Sequence, residues 1–257
     1  MDARRRTVLI TLAKLAAVVV VIAGIVVSGF LVFREEGPPP WDDSVAAYVG
    51  AETIAEAEVE EVVADLRQAR EQSYQERLEE LPDDADPAER AALQAQLDGL
   101  EERLAFDHER VIEMQILTEA GTRYAEQAGL TVPEPDPDVV GEQLGLAPDL
   151  SYIQVAAEFV AVMDVLSGEV ESAQPTVADQ REIYDHMVSQ GLSGVSFEQA
   201  QQVLTAELIG QPVGMRNLLT EVVAQADVRV NPRYELVFRV PVRLGEAETW
   251  LGVPLDG

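Results

Sequence analysis

Residues able to do acid–base or metal chemistry are few and scattered. There are two histidines, His108 and His186, and no cysteine. The lack of cysteine excludes disulfides, cysteine-ligated zinc or iron–sulfur clusters, thiol catalysis and a lipidated cysteine anchor. Carboxylates are plentiful, and adjacent pairs such as Glu60-Glu61, Glu79-Glu80 and Glu101-Glu102 have the type needed for acid–base catalysis or calcium binding. With so many acids in the chain, such pairs arise by chance and mark solvated helix faces. Asp83-Asp84-Ala85-Asp86 lacks the glycine and the twelfth-position glutamate of an EF-hand loop. No nucleophile elbow, P-loop or dinucleotide fingerprint is present. The expectation is no enzyme, no cofactor and no metal.

The charge narrows the partners. The 257 residues carry 18 basic and 47 acidic side chains, a formal charge of -29. Residues 1–34 hold one acid and five bases, so the remainder has 46 acids and 13 bases, all arginine, and a net charge of -33. Nucleic acid is excluded as a partner by repulsion from its phosphates. Most of the acidity reads as solvation; a basic partner has no local signal. An apolar content of 47% argues against wholesale disorder.

The elements that must position any site begin with a membrane segment. Arg4, Arg5, Arg6 and Lys14 precede an uncharged run of 19 residues, Leu15 to Phe33, which as a helix spans ~28 Å, close to a bilayer's hydrocarbon core. The cations before it place the N-terminus in the cytoplasm and the rest outside. The run exceeds a signal-peptide core and no Ala-x-Ala site follows it, which favours an uncleaved anchor. The expected layout is 1–14 cytoplasmic, 15–33 transmembrane, 34–43 a proline-rich spacer holding Pro38-Pro39-Pro40, 44–240 one helical domain, and 241–257 a C-terminal tail.

Within the domain, Val45 to Gly50 reads as a strand and Ile54 onward as a helix opened by a Thr53/Glu56 capping box. Asp86, Pro87 and Glu89 restart a long helix after the Pro82 break. Leu93, Leu97, Leu100, Leu104, Val111 and Met114 form a coiled-coil-like seam, so the two helices should pair as an antiparallel arm over 55–117. Asp107 takes the vacant seam position and His108 flanks it; an exposed kink is favoured over a register-setting contact. Gly129 ends the helix, Asp149 caps an apolar core helix, and Thr176/Asp179 and Ser196/Gln199 open two more. A further helical pattern covers Met215 to Ala226, and Val228 to Val230 and Leu236 to Val240 alternate like strands. The fold class is mainly α, with a small β-pairing of the first and last segments.

Four stretches carry a resemblance. Val49-Gly50-Ala51-Glu52-Thr53-Ile54-Ala55-Glu56-Ala57-Glu58-Val59 resembles the strand-to-helix opening of the SurA N-terminal (SurA/PrsA-like, trigger-factor-related) chaperone domain. Val111 to Pro133, Pro175 to Tyr184 and Ala226 to Tyr234 look like that family's later helix end, Pro-Thr segment and closing strand, in its order. Ala51 and Ala55 depart from the family's turn glycine and helix cap. No lipobox cysteine and no parvulin-like Gly-Gly-Asp-Leu run occur, so the resemblance is to a membrane-anchored actinobacterial type without prolyl isomerase activity.

The resemblance implies a membrane-tethered extracytoplasmic chaperone, a holdase or foldase for unfolded or newly secreted polypeptides. Methionines adapt to varied partners, so Met114, Phe159, Met163, Met187 and Met215 are the candidate client-binding residues, against their ordinary role as core. The competing expectation is a structural or adaptor protein of a cell-envelope complex, docking through the arm. A homodimer through the arm stays open.

Overall fold

The computed structural model describes residues 41–82, 86–192, 194–245 and 247–255. The expected membrane run 15–33, most of the spacer, and the side chains of the seam residues Leu97, Leu100 and Leu104 lie outside the described residues. Among the described residues no helix is long and apolar enough to cross a membrane. Asp43–Gly257 is one compact unit, mainly helical, with small antiparallel strands.

β1 (Val45–Val49) and β2 (Glu52–Ala55) form a hairpin, and β3 (Val228–Val230) pairs antiparallel with the other side of β1. The strand order is β2-β1-β3, so the first and last segments do pair as expected. The helix α1 (Glu56–Glu79) starts directly after β2, with Ala55 in the cap position and no side-chain cap. The Thr53/Glu56 capping box is therefore absent: Thr53 is held in the strand, and the Glu56 amide is satisfied by the Ser44 carbonyl, 2.8 Å.

α1 buries Val59, Val62, Val63 and Leu66 along one stripe. It packs against α2 (Pro87–Asp98) and α3 (Leu100–Ala128). α3 ends at Gly129 in the left-handed region. α4 (Pro137–Leu144) is capped by Asp136, whose carboxylate accepts from the Val139 amide, 3.1 Å. α5 (Ser151–Gly168) is the central core helix, burying Ile153, Phe159, Val162 and Leu166 against α3; each such side chain contributes about 2 kcal/mol by burial. Its N-cap is Leu150, not Asp149.

Both later capping boxes form as expected: Thr176 with Asp179 opens α6 (Val177–Ser189), and Ser196 with Gln199 opens α7 (Phe197–Val203). α8 (Ala206–Gln225) runs through Pro212. The 170–173 connector crosses it so closely that the Ala173 amide donates to the Gly210 carbonyl, 3.0 Å. A Cβ at Gly214 would overlap the Glu171 carbonyl oxygen.

Residues 241–245 and 247–255, within the segment 241–257 expected as a tail, instead belong to the domain. β4 (Val237–Leu244) turns at Gly245 into β5 (Ala247–Pro254), in register from Val237↔Pro254 to Leu244↔Ala247. Phe238, Val240, Val242, Leu251 and Val253 are buried, and the hairpin packs on α6 and α8. The strand pattern read to Val240 simply continues, and Trp250, Leu251 and Val253 return along it.

Candidate functional site

A cleft of about 430 Å³ lies where α3, α5 and the start of β4 meet. α3 supplies Asp107, Glu109, Arg110 and Glu113, α5 supplies Tyr152, the approach to β4 supplies Glu235, and β4 itself supplies Val237 and Arg239. Positions 107, 110 and 113 recur at three-residue steps, which puts them on one side of the helix. Arg110 is fixed twice. Its Nη1 donates to Glu113 Oε2, 3.2 Å, and its guanidinium lies 5.3 and 5.4 Å from the ring centres of Phe159 and Phe238. Those two rings meet edge-on at 5.8 Å, and Arg239 lies 4.9 Å over Trp250. Guanidinium planes over aromatic faces keep their full charge.

Burial raises the Glu113 carboxyl above its ordinary range, and the facing Arg110 only partly opposes this. The Tyr152 phenol is likewise raised, by burial first and then by the Asp107 carboxylate. A second hollow of about 250 Å³ shares Tyr152 and adds Arg70, Ser73, Tyr74, Arg77, Leu144 and Leu146. Arg70 of α1 forms an ion pair with Asp107 of α3, linking the two linings. The expectation of an exposed kink at Asp107 and His108 is therefore corrected. Asp107 is only 8% exposed, and α3 passes through both residues unbroken.

His108 joins another cluster. Its Nε2 lies 3.0 Å from Glu56 Oε1, which accepts from the Tyr234 hydroxyl, 2.6 Å, while Arg233 pairs with the other Glu56 oxygen. Burial, aided by the hydrogen bond to Glu56 and its charge, pushes the Tyr234 phenol up to about 12. Asn231, just before these residues, is buried; its side-chain amide donates to the Val45 carbonyl, 2.9 Å, and its own amide donates to the Ala46 carbonyl, 2.9 Å. These contacts fix the loop that delivers Glu235, Val237 and Arg239 to the cleft.

The five candidate client-binding residues do not converge on this cleft. Met114 and Phe159 are buried, at 3% and 9% exposure, and Met163, Met187 and Met215 are half-buried against the same core. Phe159 is tied to the cleft through Arg110 above it. Sequence reasoning passed over Arg110, Glu113, Tyr152 and Arg239. The usable signal was arginine itself, scarce among so many acids, standing at an i,i+3 distance from Glu113 and alternating outward on β4.

Large apolar side chains exposed to solvent concentrate elsewhere, in 177–208: Val177, Val188, Leu192, Val195, Val203 and Leu208. Among the described residues no group of histidines and carboxylates has the arrangement of a metal site. No family model, curated protein or solved structure matches this chain.

Proposed function

We propose that the chain is a membrane-tethered extracytoplasmic chaperone that holds unfolded or newly secreted polypeptides, without prolyl isomerase activity and without a cofactor. The observation that carries this reading is the set of exposed apolar side chains from Val177 to Leu208 on α6, α7, their connectors and the start of α8. Exposed apolar surface holds unfolded segments by non-directional burial and needs no fixed chemistry. The motif resemblance to the SurA N-terminal domain points the same way, with α1 read as one side of a helical arm and α2 with α3 as the other. The basic N-terminal flank and the apolar 15–33 run of the sequence support a domain held outside the cell membrane, close to emerging chains.

The test is suppression of aggregation of several unrelated unfolded proteins by the full-length chain in nanodiscs. Suppression at near-stoichiometric ratios across all of them is expected. No suppression by a chain with a cooperative thermal melt would overturn the reading, and recovery of a single stoichiometric partner would favour the adaptor.

A further inference from the structure

We propose that the open edge of β2, with the groove beside it, binds an extended basic segment of polypeptide as an added β-strand. This names a binding mode for the clients and so rests on the chaperone reading. β2 is an outer strand of the sheet. Gly50, with φ of 59°, and Ala51 form the two-residue turn between Val49 and Glu52. The closing pair of such a hairpin is the hydrogen-bonded one, so pairs alternate from there. Thr53, opposite Tyr48, is therefore a non-bonded position whose amide and carbonyl turn to the open side.

A groove of about 230 Å³ runs beside it, lined by Thr53 and Ile54 of β2, Gln115 and Thr118 of α3, and Val155 of α5. Among the described residues, Gln115 Oε1 and Thr118 Oγ1 are buried there without a hydrogen-bond partner. A buried acceptor left unpaired is a cost to the fold, and a backbone N–H from an added strand would relieve it. Glu52, Glu58, Glu119 and Glu158 also line the groove, and among the described residues no lysine or arginine does. Among the described residues, Glu119 alone of the four is paired, to Arg123 at 2.8 Å. That charge selects a cationic strand and repels a second copy of the same edge, which keeps the edge from self-pairing. Main-chain pairing supplies affinity for many sequences, while alternate side chains supply the preference for basic ones.

The test uses the full-length chain in detergent micelles and a fluorescein-labelled heptapeptide alternating valine and lysine. Its anisotropy is compared with that of the same peptide N-methylated at every second amide, and with that of a valine–glutamate version. The parent peptide is expected to bind, the methylated one at least about tenfold more weakly and the glutamate one not at all. Thr118→Val should weaken binding about tenfold while raising Tm, because the unpaired hydroxyl is gone. A merely structural threonine would not split the two readouts. Thr53→Pro should weaken binding without unfolding the hairpin, since its lost N–H faces outward.

Equal affinity for parent and methylated peptides, or no binding by the folded chain, would overturn the strand mode. So would unchanged affinity in Thr118→Val. If unrelated clients are still held in that case, the holdase reading survives alone; if they are not, both readings fall.

Discussion

Arg70 and Asp107 form an ion pair between α1 and α3 at the one position where an apolar seam is interrupted. Asp107 is the more buried partner and Arg70 the more exposed. Removing one member of such a pair should therefore have unequal consequences. Arg70→Ala strands a buried carboxylate and should cost about 3 kcal/mol. Asp107→Leu restores the seam's apolar spacing and leaves an arginine able to reach water, so it should cost under about 1 kcal/mol. Urea denaturation of both variants and of the double variant measures this, and equal losses would count against a register role for the pair.

A second prediction concerns Tyr234. Its folded phenol is pushed up to about 12, whereas the unfolded phenol ionises near 10. Between those values the unfolded chain loses its proton first, so stability falls as pH rises through the window. Tyr234→Phe should lose about 1 kcal/mol at neutral pH with the hydrogen bond to Glu56 and should flatten the decline above about pH 10. Urea melts across that range give the two slopes.

Glu113 predicts an effect of opposite sense to ordinary acid denaturation. Its folded carboxyl is raised, chiefly by burial, so the folded state holds the proton more readily than the unfolded one. The group thus opposes folding at neutral pH, and that opposition fades as pH falls toward the ordinary glutamate range. Glu113→Gln, which keeps an acceptor for Arg110, should raise Tm at about pH 7.5 and lose most of that advantage by about pH 4, below the ordinary glutamate value. Thermal melts at the two values decide it; a deficit at the higher pH would mean that the pairing with Arg110 outweighs burial.

At Gly214, where the Glu171 carbonyl oxygen comes too close for any Cβ, alanine cannot be accommodated by a side-chain rotation. The obstruction is backbone, so the connector must move. Gly214→Ala should destabilise by about 2 kcal/mol, despite alanine's better helix propensity. Gly168→Ala, with open space around it, is the control expected to be near neutral.

Some of this architecture was legible in the residues and some was not, for physical reasons. Thr176 with Asp179 and Ser196 with Gln199 announced their helices because a capping box lies within four consecutive residues. The Thr53 cap failed because the same residues also suit a hairpin. Gly50 closes a tight turn, and strand pairing holds Thr53 before the helix can claim it. Asp107 looked like a flaw in a seam because its partner, Arg70, is 37 positions away. The cleft was equally invisible, since Arg110, Tyr152 and Arg239 come from three elements that no local period connects. The first and last segments do pair, β1 with β3, as their strand-like alternation predicts.

The central place of β1 has a temporal consequence. It is flanked on one side by β2, made moments later, but on the other by β3 and by Asn231, which lies 186 positions beyond Val45. At ~5–20 residues per second of synthesis, that second flank arrives roughly ten to forty seconds after the first. During that interval the hairpin emerges with one side of β1 unsatisfied as well as the outer side of β2. A chain of this design thus keeps one side of β1 waiting, while it is being born, until Val228–Val230 has been made.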